Sequence, residues 1–254
     1  MTKITIIPLG TVSPYCKDEH NCPGFLVLYK NQKILLDCGN GITRYMDFPS
    51  GLENLNVIIT HYHKDHYGDM GVLQYASYVY HNLGLLNKKI NVYLPKEDFN
   101  YSKVEILENK EAFCDYYDIF GGLVFYLEDL KISLEDNKSH TIPSLMVKLE
   151  NENSKIVYTS DIGPTNWQNL VEFSSNSDLL ICESSFLRRH NSLSKMHMTA
   201  YAAGLLAQSS NSKKLLLTHL WPEEKREDYL SEAQENFSNT EVALEKKKLE
   251  LVKR

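Results

Sequence analysis

The sequence predicts an α+β fold in which strands and helices alternate in two similar halves. Three observations carry this expectation. Short apolar runs of strand length recur along the chain and stop at turns, segments with helical spacing separate them, and the second half repeats the alternation of the first. With 254 residues, 43% of them hydrophobic, the chain is long enough for one large core, and no low-complexity linker divides it. Residues 1–254 are therefore read as a single domain.

The elements follow in order. Lys3 to Leu9 reads as a strand ending at Gly10, and Phe25 to Tyr29 with Lys33 to Asp37 as a hairpin turned at Asn31-Gln32. Thr11 to Pro23 between them is an irregular loop. Its Cys16, His20 and Cys22 have metal-binding side chains but lack a second pair of matching spacing, so the loop is read as the rim of a site. After Asp69-Met70-Gly71, helical spacing of Leu73, Ala76, Val79, Tyr80 and Leu83 predicts a helix to about Leu86, with His81 a packing or surface residue. Ile90 to Leu94 is a strand stopped by Pro95. Asn100 to Asn109 and Glu111 to Tyr117 read as weaker helical or loop segments, and their tyrosines Tyr101, Tyr116 and Tyr117 as half-buried packing.

Further strands are expected at Leu123–Tyr126, Ile132–Leu134, Leu145–Glu150, Lys155–Thr159, Asp178–Ser185 and Lys214–His219. A helix should run from about Thr199, its N-cap, to Gln208. Another should run from Pro222, with proline in the first turn, to about Phe237, before an edge hairpin over Glu241 to Leu251.

The chemistry concentrates at Thr60-His61-Tyr62-His63-Lys64-Asp65-His66, directly after the apolar run Val57-Ile58-Ile59. Three histidines and an aspartate so close together supply the nitrogen and oxygen donors that a borderline divalent ion such as zinc prefers. Later apolar runs end in or beside further donors: His140, Asp161, Glu183 and His219. Asp37, in Asp37-Cys38-Gly39, sits in a turn where it can orient a neighbouring loop by hydrogen bonds.

Composition narrows the partners. A net charge of −6 gives no global positive field to draw the chain onto nucleic acid, so phosphate recognition must be local. Arg188, Arg189, His190 and Lys195 are local cations, read as a solvated loop. Five scattered cysteines suit reduced thiols, and neither a leader nor a stretch of bilayer-spanning length is visible, so the expected setting is the cytoplasm without membrane attachment.

The motif H-x-H-x-D-H at His61 to His66 resembles the signature of the metallo-β-lactamase superfamily. That resemblance implies a four-layer αββα sandwich, two β-sheets packed face to face with helices outside, and two divalent metal ions, zinc first with manganese or iron as alternatives. His61, His63 and His140 would hold one ion, Asp65, His66 and His219 the other, and Asp161 would bridge them. Leu180 to Phe186 (L-x-x-E-S-S-F) and His197 to Gly204 (H-x-T-x-x-x-A-G) are similar to a strand end and helix start of the ribonuclease Z-like phosphodiesterase branch. In that branch the counterparts of Glu183 and His197 form a pair that stabilises the phosphoryl oxygens and assists the leaving group, so Asp65, Glu183 and His197 become the candidate catalytic residues. His140 and Asp161 stand only 21 positions apart (161 minus 140), which leaves no room for the long arm that clamps transfer RNA. With the acidic charge, this argues against transfer RNA and for a small or cyclic nucleotide-like phosphodiester. A thioester or lactone hydrolase of the same fold and a non-catalytic sensor of metal or a phosphorylated metabolite are the alternatives, and a homodimer is left open.

Overall fold

The computed structural model describes residues 3–96, 101–140, 142–190 and 195–251. The first sheet takes β1 (Ile4–Gly10), β2 (Gly24–Tyr29), β3 (Gln32–Leu36), β4 (Leu55–Ile58), β5 (Ile90–Pro95) and β6 (Cys114–Ile119) in that order. The second takes β7 (Val124–Leu127), β8 (Leu130–Asn137), β9 (Ser144–Glu150), β10 (Lys155–Tyr158), β11 (Leu179–Glu183), β12 (Leu215–Thr218) and β13 (Thr240–Val242). The chain then returns to the first sheet as β14 (Leu249–Leu251), antiparallel to β1. In each sheet the early strands are antiparallel and the later ones parallel, so β3 to β6 and β10 to β13 deliver their C-terminal ends to one side.

Alternation along these strands builds the layers. Ile34 and Leu36 of β3 face the second sheet, joining Ile132, Val147, Ile156, Ile181 and Leu216, while Leu35 faces outward. Each such side chain, fully buried, contributes about 1.5–3 kcal/mol. Outside the first sheet lies α2 (Met70–Asn82), whose Met70 and Leu73 join Leu35, Val57 and Val92. Outside the second lie α4 (Trp167–Ser174), α5 (Ala200–Ser209) and α6 (Arg226–Gln234), packed on Leu180, Cys182, Leu215 and Leu217. The short α1 (Lys64–Tyr67) and α3 (Tyr101–Leu107) complete the α-helices of the described residues. The expected αββα sandwich is what forms.

Several boundaries differ from expectation. The β2–β3 turn is Lys30-Asn31, with Tyr29 opposite Gln32 and Lys30 at φ 50°. Helix α2 stops at Asn82 rather than near Leu86, because Gly84 takes a left-handed φ of 70° and the Leu85 N–H turns back to the Tyr80 carbonyl. Val79, inside the helix, and Leu83, just past its end, both point to solvent. Glu111 to Tyr117 is mostly strand, since β6 pairs along its whole length with β5. Tyr116 is half-buried, its hydroxyl accepting from Gln74; Tyr117 is more exposed and stacks on Tyr93; the Tyr101 side chain and Asn100 lie outside the described residues.

Pro222 does not open α6. Glu223 bonds Tyr15 and Lys17, and Glu224 pairs with Arg189 and His190, so these carboxylates are committed across the chain before the helix begins at Arg226. Nor is the tail a hairpin: β13 joins β12 in one sheet and β14 joins β1 in the other. Helix α4 was not anticipated, although Trp167, Leu170 and Val171 have the spacing of a buried face. Among the described residues no helix is long and apolar enough to cross a membrane.

Candidate metal centre

The donors gather where the parallel strands end. His61 follows β4, Asp161 follows β10, Glu183 closes β11, His219 follows β12, and His140 lies in the turn between β8 and β9. Two backbone hydrogen bonds lock this edge: the Leu145 N–H donates to the Thr60 carbonyl across the sheets, and the Cys38 N–H to the His66 carbonyl. Asp37, Ser160 and His219 each adopt a left-handed backbone, at φ 60°, 52° and 58°. That conformation is uncommon for residues with a side chain and costs about 1–3 kcal/mol each, and such strain concentrates at functional sites.

Two donor sets result. His61, His63, His140 and Asp161 form one, with His140 Nε2 3.1 Å from His63 Nδ1. Asp65, His66 and His219 form the other, with His66 Nε2 3.2 Å from His219 Nε2. Asp161 stands between them. Its Oδ2 lies 3.6 Å from His61 Nε2 and 3.7 Å from His140 Nε2, while its Oδ1 lies 3.1 Å from His66 Nε2 and 2.9 Å from His219 Nε2. Close as these last contacts are, they lack hydrogen-bond geometry: among the described residues, buried Asp161 Oδ1 and His61 Nε2 have no hydrogen-bond partner. Buried polar atoms normally do. Imidazole nitrogens and carboxylate oxygens converging on one another, with two of them orphaned, fit divalent cations.

A second ring of contacts aims the donors. Asp37, fully buried, accepts from the Thr60 N–H, the Thr60 hydroxyl and the Tyr158 hydroxyl, and its Oδ2 lies 2.8 Å from His66 Nδ1. His61 Nδ1 meets the Thr60 hydroxyl at 3.1 Å, and His140 Nδ1 meets the Met196 carbonyl at 3.3 Å. Fixing the outer nitrogen this way sets the tautomer and ring orientation of a metal-binding histidine.

Two members of this ring went unnoticed in the sequence. The Ser13 hydroxyl, from the Thr11–Pro23 loop, donates to Asp65 Oδ2 at 2.7 Å; the Ser185 hydroxyl donates to Glu183 Oε2 at 2.7 Å and lies 2.8 Å from His219 Nδ1. Single serines carry no spacing signal, although Ser185 sits within L-x-x-E-S-S-F.

Charge is balanced within the cluster. Burial opposes ionisation of Asp161, but His219, His66 and His61 outweigh it and hold the carboxyl well below its usual range. Asp65 is lowered likewise by His66 and His219 against its burial. Burial would also lower His219, yet Asp161 and Asp65 push it up to about 10. His61, buried among other histidines, is held well below the ordinary imidazole value.

Glu183 and His197 stand beside the donors. His197 Nδ1 lies 2.8 Å from Glu183 Oε1, and the carboxylate outweighs burial to raise the imidazole above its ordinary value. Both residues also fall in a possible donor group with Asp161 and His219. The Glu183 oxygens, however, are already engaged: Oε1 accepts from the Ile162 N–H at 2.8 Å, and Oε2 from Ser185. A pair serving each other is the better description.

The remaining candidates stay outside the cluster. His20 bonds Glu245 and Arg226, while Cys16 and Cys22 lie 3.7 Å apart on the rim loop. His81 stacks on Phe113, as expected of a packing residue. Arg188 pairs with Glu232 and Glu235, Arg189 with Glu224 and Asp228, and His190 with Glu224, so these groups are ion-paired to α6 and the turn before it while the two arginine side chains stay half-exposed to solvent. Thr141, beside His140, lies outside the described residues, whereas Lys195 is exposed.

The family model described as the Beta-lactamase superfamily domain matches residues 32–220. Ribonuclease Z of Archaeoglobus fulgidus is 28% identical over 299 aligned residues, with 95% of this chain and 95% of that protein covered. The probable metallo-hydrolase YhfI of Bacillus subtilis is 27% identical over 249 residues, covering 96% of this chain and 97% of its own. The crystal structure of YhfI, a metallo-beta-lactamase fold protein, matches with a TM-score of 0.88 at 25% identity, over 98% of this chain and 99% of that one. Human tRNase Z, short form, shares the fold at a TM-score of 0.73 and 20% identity, over 98% and 99%. The chain therefore belongs to the beta-lactamase superfamily, with the metallo-β-lactamase fold and ribonuclease Z-like relatives.

Proposed function

We propose that the chain is a metal-dependent hydrolase whose two donor sets hold zinc ions and that it cleaves a phosphodiester, a small or cyclic nucleotide-like one. The observation that carries the choice of bond is the Glu183–His197 pair, 2.8 Å apart at the edge of the donors. Cations bound at the two sets supply positive charge for a phosphoryl oxygen and make hydroxide available near neutral pH. The protein's own side chains do the rest. Asp65, steadied by Ser13, orients the attacking water and accepts its proton. Glu183 favours the charged form of His197, and that imidazolium stabilises the developing negative charge and gives a proton to the leaving oxygen as its bond to phosphorus breaks.

A glutamate-held imidazolium has less to offer a thioester, whose thiolate leaves without a proton. The reading is tested by assaying purified, zinc-loaded protein against bis-p-nitrophenyl phosphate and cyclic nucleotides. A precursor transfer RNA belongs in the same panel, since a relative is itself called ribonuclease Z. Intact phosphodiesters throughout would sink the proposal. Saturable binding of a phosphorylated metabolite without turnover would favour the sensor instead.

A further inference from the structure

The chain has two tryptophans, and each lines a separate cleft that opens on His197. The first cleft, about 310 Å³, is walled by Pro14, Phe186 and Trp221 and reaches His219 and Ser185 at its floor. Phe186 and Trp221 meet edge to face with ring centroids 6.3 Å apart, and Phe186 meets His197 likewise at 6.0 Å. The second cleft, about 460 Å³, is walled by Pro164, Trp167, Tyr201 and Leu205, and the Arg188 guanidinium covers the Tyr201 ring at 4.5 Å. Nothing in the proposed hydrolysis requires two aromatic clefts. A substrate with one ring would fill only one of them.

We infer that the substrate is a linear dinucleotide, two nucleosides joined through one phosphodiester, with the phosphate at His197 and one base in each cleft. The inference rests on the phosphodiesterase reading and narrows it. Flat aromatic walls suit bases because stacking needs only a π-face. The charge inventory limits the number of phosphates. Arg188, the cation in the second cleft, is already matched by Glu232 and Glu235; Arg189 and His190 are matched by Glu224 and Asp228; and the whole chain carries −6. Among the described residues, a polyanion running past both clefts would meet exposed Lys195 but otherwise cations already matched by carboxylates. One diester seated at the metal centre needs none. In the reaction one phosphorus–oxygen bond forms to water as the bond to one nucleoside breaks. That nucleoside leaves as an alcohol carrying the His197 proton, and the phosphate stays on the other.

Single-tryptophan variants separate the clefts. In Trp167→Phe the remaining fluorescence reports the Phe186–Trp221 cleft, and in Trp221→Phe it reports the Trp167–Tyr201 cleft. Titrating each zinc-loaded, full-length variant with phosphorothioate-linked diadenosine should quench both with similar midpoints, whereas adenosine monophosphate should quench one far more than the other. Kinetically, diadenosine monophosphate should outrun methyl p-nitrophenyl phosphate, and replacing either tryptophan by alanine should cut that preference by roughly tenfold, the scale of one lost base stack. Affinity should depend only weakly on salt, because a single diester carries no condensed counterion atmosphere to release.

Quenching in only one variant overturns the inference, as does affinity that keeps climbing from two to four nucleotides with a steeper salt slope. Loss of all diester hydrolysis would instead remove the phosphodiesterase reading, and the fluorescence would still decide whether two bases bind.

Discussion

Asp37 Oδ2 and His66 Nδ1 face each other at 2.8 Å with both side chains fully buried. The same carboxylate takes the Thr60 N–H and hydroxyl and the Tyr158 hydroxyl, so one aspartate joins the β3 turn, the histidine segment and the second sheet. Asp37→Asn keeps the shape and removes the charge that fixes the His66 tautomer. Metal affinity should drop by about 10- to 100-fold, the usual consequence of altering a partner of a ligating histidine, with the fold retained. Competition against a chelator of known affinity measures this; an unchanged affinity would mean that Asp37 serves only the fold.

Glu183 and His197 are expected to matter for rate and not for metal content. Because both Glu183 oxygens are already engaged, His197→Ala should retain the full complement of metal while phosphodiester turnover falls by about 10²- to 10⁴-fold, the range for a positioned general acid. Glu183→Gln should act in the same direction by leaving His197 less charged. Elemental analysis beside steady-state kinetics separates the possibilities. Loss of a metal equivalent on removing His197 would place it among the ligands.

What the sequence disclosed depended on how locally each feature is encoded. His61 to His66 is a contiguous pattern, and the donors after β10 and β12 are marked by the apolar strands before them, so the residues that the fold gathers into the two donor sets could be picked out in the sequence. Ser13 and Ser185 were not, because a lone hydroxyl acquires meaning only from what folding brings to it; the Ser13 partner, Asp65, is 52 positions away. The fold followed the same division. Buried strands such as Leu179–Glu183 were plain, whereas β13 and β14 are three residues each and only pairing across the molecule assigns them to opposite sheets.

Metal should also stabilise the fold. The two donor sets come from both sheets, so cations bound there tie the halves together, and a ligand that binds only the native state at a thousandfold excess over its Kd adds about 4 kcal/mol. For a chain of this size that shifts the melting temperature on the order of 10 °C. Removing metal with a chelator should lower Tm by this amount, and zinc should restore it. A Tm indifferent to both treatments would contradict native-state metal binding.

Two glycines offer a paired test of how the ligand loop is held. A Cβ on Gly39 would stand 2.2 Å from the Asp65 carbonyl oxygen and 2.6 Å from that of Pro23, so the chain there has no room for a side chain. Gly39→Ala must push the Asp65 backbone away, at a cost of about 1–3 kcal/mol, and should weaken metal binding as it does so. Gly71, in the first turn of α2, meets nothing within 4 Å, and Gly71→Ala should stabilise the protein by about 0.5–1 kcal/mol through helix propensity alone. Denaturant unfolding of the two variants, each with and without zinc, reads both effects. If Gly39→Ala lost stability but kept its metal affinity, the close approach at Asp65 would be serving the fold and not the site.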